Sequence, residues 1–363
     1  MTTNNKRILT INPGSTSTKI AVYEGEKAIL LSTLRHSVEE LKIFPSIVDQ
    51  FSFRKEIILD ALKQSGIDIH SIDMVVGRGG LIHPIESGIY EVNDAMAADL
   101  HKGVMGEHAS NLGGLIARDI VKDLNNVKAY IADPVVVDEL QDVARISGHP
   151  QFERVSIFHA LNQKAIARCY AKDVGKSYND LNLIVAHLGG GISVGAHKKG
   201  RVIDVNNALN GEGPFSPERS GGLPAWQLAE FCLSGKADSK TVSKMITGNG
   251  GFVAYLGTNN AFEVEQAAEK GDAKTALIQE AMFYQICKEI GAIATVFKGK
   301  VDAILVTGGI ANNPYAINYI KTHTEFIAPV HVYPGEDEMW ALASNGLMVL
   351  NGEIEVKVYG KDK

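Results

Sequence analysis

The segment RILTINPGSTSTKIAVYEGE, Arg7 to Glu26, decides how the rest of the chain is read. A β-branched run from Ile8 to Ile11 meets Asn12-Pro13-Gly14, passes Ser15, Thr16 and Ser17, and returns as a second alternating run. Arg7–Asn12 and Thr18–Glu24 are expected as strands, with Gly25 turning into a third at Lys27–Thr33. At the first turn, Gly14 lets the backbone come close to an anion, and successive N–H groups form a concave nest, with Lys19 just beyond. Taken alone, the loop reads equally well as a polar hairpin turn. Both readings stay open on these residues.

The same order returns in the second half. Leu183–Ala186 reads as a strand, His187–Gly191 as a glycine-rich turn and Ile192–His197 as a strand; Lys199-Gly200 turns into a third strand at Arg201–Val205. Two copies of one three-stranded unit predict an α/β chain of two similar domains. Helical patterning lies at Phe44–Gly66, Ala95–Lys122, Ser156–Lys172, Ala261–Phe297 and Glu338–Leu350. Short buried strands are expected at Met74–Gly77, Ala129–Ala132, Ala303–Val306 and Val330–Tyr333. The division is placed at 1–152 plus 340–363 for the first domain and 153–339 for the second.

Composition narrows the function classes. At 363 residues the chain exceeds the usual single domain, and 45% hydrophobic with 21% charged residues is ordinary globular content. A net charge of −6 gives no general pull toward nucleic acid or an anionic membrane, so any anion site has to be built locally. Cys169, Cys232 and Cys287 stand in no metal or redox spacing. No apolar run approaches the ~18 residues of a spanning helix, and the opening MTTNNKRILTI is too short in apolar residues for a signal peptide. A cytoplasmic location is expected.

Two apparent nucleotide signatures fail. Gly175-Lys176-Ser177 resembles the end of a P-loop, but Tyr170 stands where its first glycine belongs, and the run follows a helix. Gly189-Gly190-Gly191 does not extend to a dinucleotide fingerprint, since Val194 takes the last glycine position. What remains is a set of strand ends. AHLGGGIS (186–193) places His187 before three glycines whose backbone entropy a simple turn would not need to lose. LVTGGIANNP (305–314) leads a strand through Gly308-Gly309 into a helix, a nucleotide's approach to a helix amino terminus. Arg78 in VVGRGGLIHP and Arg219 in GPFSPERSGGLP follow or lie among glycines, where paired arginines suit bidentate clamps for phosphate or carboxylate. Asp133 and Glu338 are candidate magnesium carboxylates. Taken singly, an Asx-turn before Pro134 and an N-cap cluster on the last helix are the favoured readings of both.

With these motifs assembled, the chain resembles the acetate and butyrate kinases of the sugar kinase/Hsp70/actin superfamily. The matching stretches are INPGSTSTK (11–19), GRGGLIHP (77–84), GEHASN (106–111), ADP (132–134), HLGGGIS (187–193), PERSGGLP (217–224), GGIANN (308–313) and GEDEMWALA (335–343). They come in family order across nearly the whole chain. INPGSTSTK, GRGGLIHP and HLGGGIS look like the butyrate or branched-chain carboxylate kinases; acetate kinases have a serine-rich first loop, HGG after the arginine and Asn in the His-Leu-Gly loop. The resemblance implies two RNase H-like domains, a duplicated βββαβαβα actin-like fold, around a nucleotide cleft. It also implies a homodimer or larger homo-oligomer.

It further implies roles. Asn12 with Gly14, Ser15 and Ser17, and Lys19 nearby, would contact phosphate or position magnesium. Arg78 and Arg219 would hold the carboxylate and the transferring phosphoryl group, and Asp133 would organise magnesium or the arginines. His187 would donate a hydrogen bond to that group, supported by His108. Gly189, Gly190 and Gly191 would cradle nucleotide phosphates, and Gly308, Gly309 and Asn312 would line adenosine. Asn12 and Glu338 would attend Mg2+, with Glu336 and Asp337 leaving the acid's identity open by a residue or two. Gly80, Ala186 and Pro214 would line the substrate pocket; at the first two, acetate kinases carry bulkier residues. Smaller ones there would make room for methylenes worth about 0.8 kcal/mol each, favouring C4 or branched C4–C5 acids.

The expected activity is reversible phosphoryl transfer between ATP and butyrate, giving butyryl phosphate and ADP. A carboxylate nucleophile is already ionised near neutral pH, so positioning and charge neutralisation matter more than a strong base. An acetate or propionate kinase is the near alternative. An actin/Hsp70-like ATP switch is the distant one, and it leaves Arg78 and Arg219 without a task.

Overall fold

The computed structural model describes residues 5–360. Its first unit grows from the opening meander. Strands β1 (Arg7–Pro13), β2 (Ser17–Glu24) and β3 (Lys27–Arg35) pair antiparallel. The chain then leaves through helices and returns as β4 (Met74–Arg78), β5 (Ile89–Glu91) and β6 (Lys128–Ala132). The sheet order is β3-β2-β1-β4-β6-β5, with β1, β4 and β6 parallel and β5 antiparallel at the edge. Leu9, Ile11, Val75 and Ile131 bury one face against the helices Phe51–Gln64 and Asn111–Val121. The other face meets the helix Glu338–Leu350, where Gly346 abuts Ile8, Met74 and Val76.

The second unit repeats this plan. Strands β7 (Asn182–Leu188), β8 (Ile192–Lys198) and β9 (Arg201–Val205) form the meander, followed by β10 (Ala303–Gly308) and β11 (Val330–Pro334). The order β11-β10-β7-β8-β9, with β7, β10 and β11 parallel, is the first sheet's order without its extra edge strand. Alternation decides the faces. Ile184, Ala186 and Leu188 pack on the helix Ala273–Val296 through Met282, Ile286, Ile290 and Ile293, and each fully buried chain of this kind contributes about 1.5–3 kcal/mol. Leu183 and Val185 pack on Ala167, Tyr170 and Ala171 of the helix Ala160–Asp173.

Several boundaries differ from those read in the sequence. His187 and Leu188 complete β7, and the turn shrinks to Gly189–Gly191. The region 95–122 breaks at Gly103, which takes φ +64°, so a loop carrying His108 separates two helices. Region 261–297 is two helices, because Asp272 caps a fresh start by accepting from the Lys274 and Thr275 amides. The chain divides into Met1–Val137 with Asp337–Lys363, and Asp138–Glu336, against the expected breaks after 152 and 339. The segment after Val137 belongs with the second unit because Glu139 accepts from the buried Lys164 ammonium at 2.7 Å and Gln141 donates to the Ile203 carbonyl. Asp337 and Glu338 begin the helix that covers the first sheet.

A close approach of backbones sets the position of β4. A Cβ on Gly113 would strike the Arg78 backbone, and one on Gly77 would strike the backbone of Gly113. Gly113→Ala is therefore expected to destabilise by about 1–3 kcal/mol. Gly291→Ala, in a helix with open space at that point, is expected to stabilise by up to about 1 kcal/mol. Urea midpoints at constant m check both.

Candidate active site

Register lines up the parallel strand ends. Ile11 pairs with Gly77 and Arg78 with Ala132, so Asn12, Arg78 and Asp133 emerge at the carboxyl edge of one sheet. Open α/β sheets bind ligands at that edge. Three of the predicted residues meet there. Asn12 Nδ2 donates to Glu338 Oε2 at 2.6 Å, Arg78 ion-pairs with Glu338 Oε1, and Arg78 Nη1 donates to Asn12 Oδ1 at 3.3 Å. Asn12 is buried and the two charged side chains are mostly so.

The acidic run resolves into three separate tasks. Glu336 Oε1 lies 3.1 Å from His187 Nε2. Asp337 caps the last helix, accepting from the Trp340 amide at 2.8 Å. Glu338 alone joins Asn12 and Arg78. Among the described residues no three or more His, Cys, Asp or Glu side chains group to hold a metal. Magnesium nonetheless fits the oxygen donors of Glu338 and Asn12. It is commonly held by one or two carboxylates, with substrate phosphates and water completing its shell.

Asp133 is placed differently from its expected partners. It is buried at φ +38°, and its Oδ1 accepts from Ser87 Oγ at 2.6 Å and the Gly88 amide at 2.8 Å. It thus fastens Ser87–Gly88 to the end of β6. His108 is exposed; its Nδ1 accepts from the Ser110 amide at 3.2 Å, which fixes the ring proton on Nε2. Lys19 is exposed on β2, paired in register with Asn12. Gly80 lies against Asn111 and Leu100, which a Cβ would hit. Close packing inside the unit explains that glycine, so it is no measure of pocket room.

In the second unit, His187 stands one residue before the end of β7, beside Thr307 of β10. His187 is 2% exposed, its Nδ1 2.8 Å from Asn162 Oδ1 and its ring stacked on His159 at 3.8 Å between centroids. His159 meets Ser193 Oγ at 2.9 Å; Gln163 donates to that hydroxyl at 2.8 Å and also faces His197 Nε2 at 2.8 Å. The catalytic candidate thus stands on a buried polar chain. Arg219 threads over the glycine turn. Its Nη1 donates to the Ala208 carbonyl at 2.6 Å, and a Cβ on Gly191 would collide with its guanidinium. Burial pushes the Arg219 pKa down, with adjacent Glu218 opposing, and arginine stays charged. Ser216 Oγ donates to the Gly190 carbonyl at 2.6 Å, and Gly190 itself is exposed. A Cβ on Gly189 would meet Glu336 and His187.

Gly308, at φ +93°, comes so close to the Leu188 backbone that no side chain fits. Gly309 and Asn312 border a cavity of about 440 Å³, shared with Phe252, Met282 and Phe283, large enough for a nucleoside. Ala186 is fully buried in the unit's core cluster, and Pro214 is buried in the loop before Arg219. As at Gly80, core packing accounts for the small residue at 186.

Two supporting residues went unread in the sequence. Asn162 and Arg54 lie inside helices, on buried faces, in no motif. The only signal was the polar run Asn162-Gln163-Lys164 in an otherwise apolar helical segment. Support of this kind titrates. Burial, then nearby Arg54, holds His36 below the ordinary value of 6.5; burial, then Lys164 and Arg168, holds His197 well below it. Just below pH 6.5 the unfolded chain binds more protons, so stability rises with pH there and is lost on acidification. The slope from His197 is expected to approach about 1.4 kcal/mol per pH unit, with a smaller contribution of the same sign from His36. Urea midpoints between pH 7.5 and 5.5 check this, with His197→Gln flattening the profile.

Comparison with known proteins places this geometry. Residues 153–328 match the Acetokinase family model. The chain is 58% identical over 353 residues to Butyrate kinase 2 of Clostridium acetobutylicum, covering 97% of this chain and 99% of that protein. It is 59% identical to Butyrate kinase 1 of the same organism at the same coverage. The crystal structure of Porphyromonas gingivalis acetate kinase aligns with a TM-score of 0.77 at 20% identity, over 95% of this chain and 100% of that one. Strand order, strand-end residues and full-length identity agree: the chain belongs to the acetate and butyrate kinase family.

Proposed function

We propose that this protein is an acyl kinase that moves a phosphoryl group reversibly between ATP and butyrate or a branched C4–C5 acid. The observation that carries the reading is the Asn12–Arg78–Glu338 cluster at the carboxyl edge of β1 and β4. It presents a cation, an amide and one carboxylate, with no hydroxyl or thiol nucleophile of its own. Such a cluster suits a substrate that brings its own nucleophile. A carboxylate oxygen attacks the γ-phosphorus, the bond to the β–γ bridging oxygen breaks, and acyl phosphate and ADP result.

No proton has to be removed from the acid, so the protein's work is placement and neutralisation. Arg78, held and aimed by Glu338, offers its remaining N–H donors to the carboxylate or to an equatorial phosphoryl oxygen. Arg219 supplies the second cation; His187 gives its Nδ1–H to Asn162 Oδ1, so it donates from Nε2 in its imidazolium form, facing Glu336 Oε1 at 3.1 Å. His108, whose Nδ1 accepts from the Ser110 amide, would support the same site. Asp133 acts at one remove, through Ser87–Gly88. Glu338 and Asn12 would hold magnesium, which when bound offsets charge on the phosphates. The cavity beside Gly309 and Asn312 receives adenosine. The acid's length rests on the resemblance to the two butyrate kinases.

A hydroxamate assay for acyl phosphate, with ATP, magnesium and C2 to C5 acids, tests the reading. Butyrate or isobutyrate is expected to exceed acetate in kcat/KM. Arg219→Ala, while folded, is expected to lose about 100-fold or more in kcat. Acetate as the best acid would overturn the chain-length assignment, and no acyl phosphate from any acid would overturn the activity.

A further inference from the structure

Arg54 is fully buried in the helix Phe51–Gln64, and among the described residues no carboxylate pairs with it. Its Nη1 donates to the carbonyls of Gly14 and Ser17 at 2.9 and 3.1 Å and to Thr18 Oγ1 at 3.0 Å. Its Nη2 reaches the Ser15 carbonyl at 3.2 Å. Gln50 Oε1 takes Nε at 3.0 Å and Nη2 at 2.8 Å. The Thr16 carbonyl accepts from the His36 amide at 2.9 Å. Every carbonyl of Gly14–Ser17 is therefore occupied, three of them by one guanidinium. Ser15 and Thr16 remain exposed with their hydroxyl donors.

A buried cation surrounded only by neutral acceptors is a costly arrangement for stability alone. Burial pushes the Arg54 pKa down to about 10, which leaves it charged at neutral pH. Thr18 Oγ1 accepts from Arg54 and lies 2.9 Å from His36 Nε2. Burial, then the nearby guanidinium, holds the His36 pKa below its ordinary value, which disfavours a second positive charge there. The floor of the loop thus holds one fixed charge and turns every loop carbonyl away from a ligand.

We infer that Arg54 is a positioning residue for phosphate binding: it orders the Gly14–Ser17 loop and supplies the uncompensated positive charge beneath it. The inference rests on the proposed role of that loop as a phosphate site. It explains why Gln50, and no acid, faces the guanidinium. A carboxylate there would satisfy Arg54 fully and cancel the charge offered to an incoming anion.

Gln50→Glu makes the test, because it keeps the shape and the hydrogen bonds while neutralising the cation. Inorganic phosphate binding to the full-length protein is measured by calorimetry, beside thermal unfolding in chloride of equal ionic strength. The variant is expected to melt at or above the parent temperature and to bind phosphate about tenfold more weakly. Arg54→Lys, which keeps a cation, is expected to melt lower yet stay within about threefold of parent affinity; Arg54→Met is expected to lose as much affinity as Gln50→Glu and replaces it should that variant not fold. Unchanged affinity in the charge-cancelling variant, with Ser15→Ala and Ser17→Ala weakening phosphate, would overturn the role of Arg54 and leave the loop's role intact. Unchanged affinity in the serine variants as well would overturn the loop reading itself.

Discussion

Glu338 ties the two ends of the chain to one strand edge. Its carboxylate takes the amide of Asn12 and the guanidinium of Arg78, across 326 residues in the first case. Each group would be expensive to hold half-buried without the others. The carboxylate also stands in the first turn of the helix Glu338–Leu350, where the helix dipole favours negative charge. The same residue therefore stands at the start of the helix covering the first sheet and holds the cation and amide at the strand edge.

The second unit reaches a comparable result by different means. Its sheet repeats the first in order, and β7 delivers His187 where β1 delivers Asn12. Here the cation comes from a loop: Arg219 occupies space that a side chain at Gly191 would close. His187 is oriented from behind by Asn162 and the stacked His159. In both units a candidate side chain leaves a strand end, and polar groups on a neighbouring helix hold it: Glu338 for Asn12 and Asn162 for His187. Rigid placement of this kind suits phosphoryl transfer to a nucleophile that is already charged.

Much of this was legible before any coordinates. Alternation in Arg7–Glu24 and in Leu183–Val205 marked the two meanders, because each strand has one or both faces buried. Glycines beside Arg78 and His187 marked two strand ends and those beside Arg219 marked a loop; Gly77 and Gly191 meet the backbone of Gly113 and the Arg219 guanidinium so closely that no side chain fits. Local pattern could not assign Glu336, Asp337 and Glu338, whose tasks depend on partners far away in sequence. Arg54 and Asn162 stayed hidden because a helix period shows which face is apolar, and these polar residues lie on the buried one. Gly80 and Ala186 read in the sequence as room for a longer acid; in the fold a Cβ at Gly80 would strike Asn111, and Ala186 is buried in the core cluster.

Whether Arg78 and Glu338 act as one device is tested most directly by a double-mutant cycle on acyl phosphate formation. Arg78→Gln, Glu338→Gln and the double variant are compared with the parent in kcat/KM. If the two act as a unit, the double variant loses no more than about the larger single loss. Losses that multiply would contradict the account, because they would mean that each residue serves the reaction independently of the other.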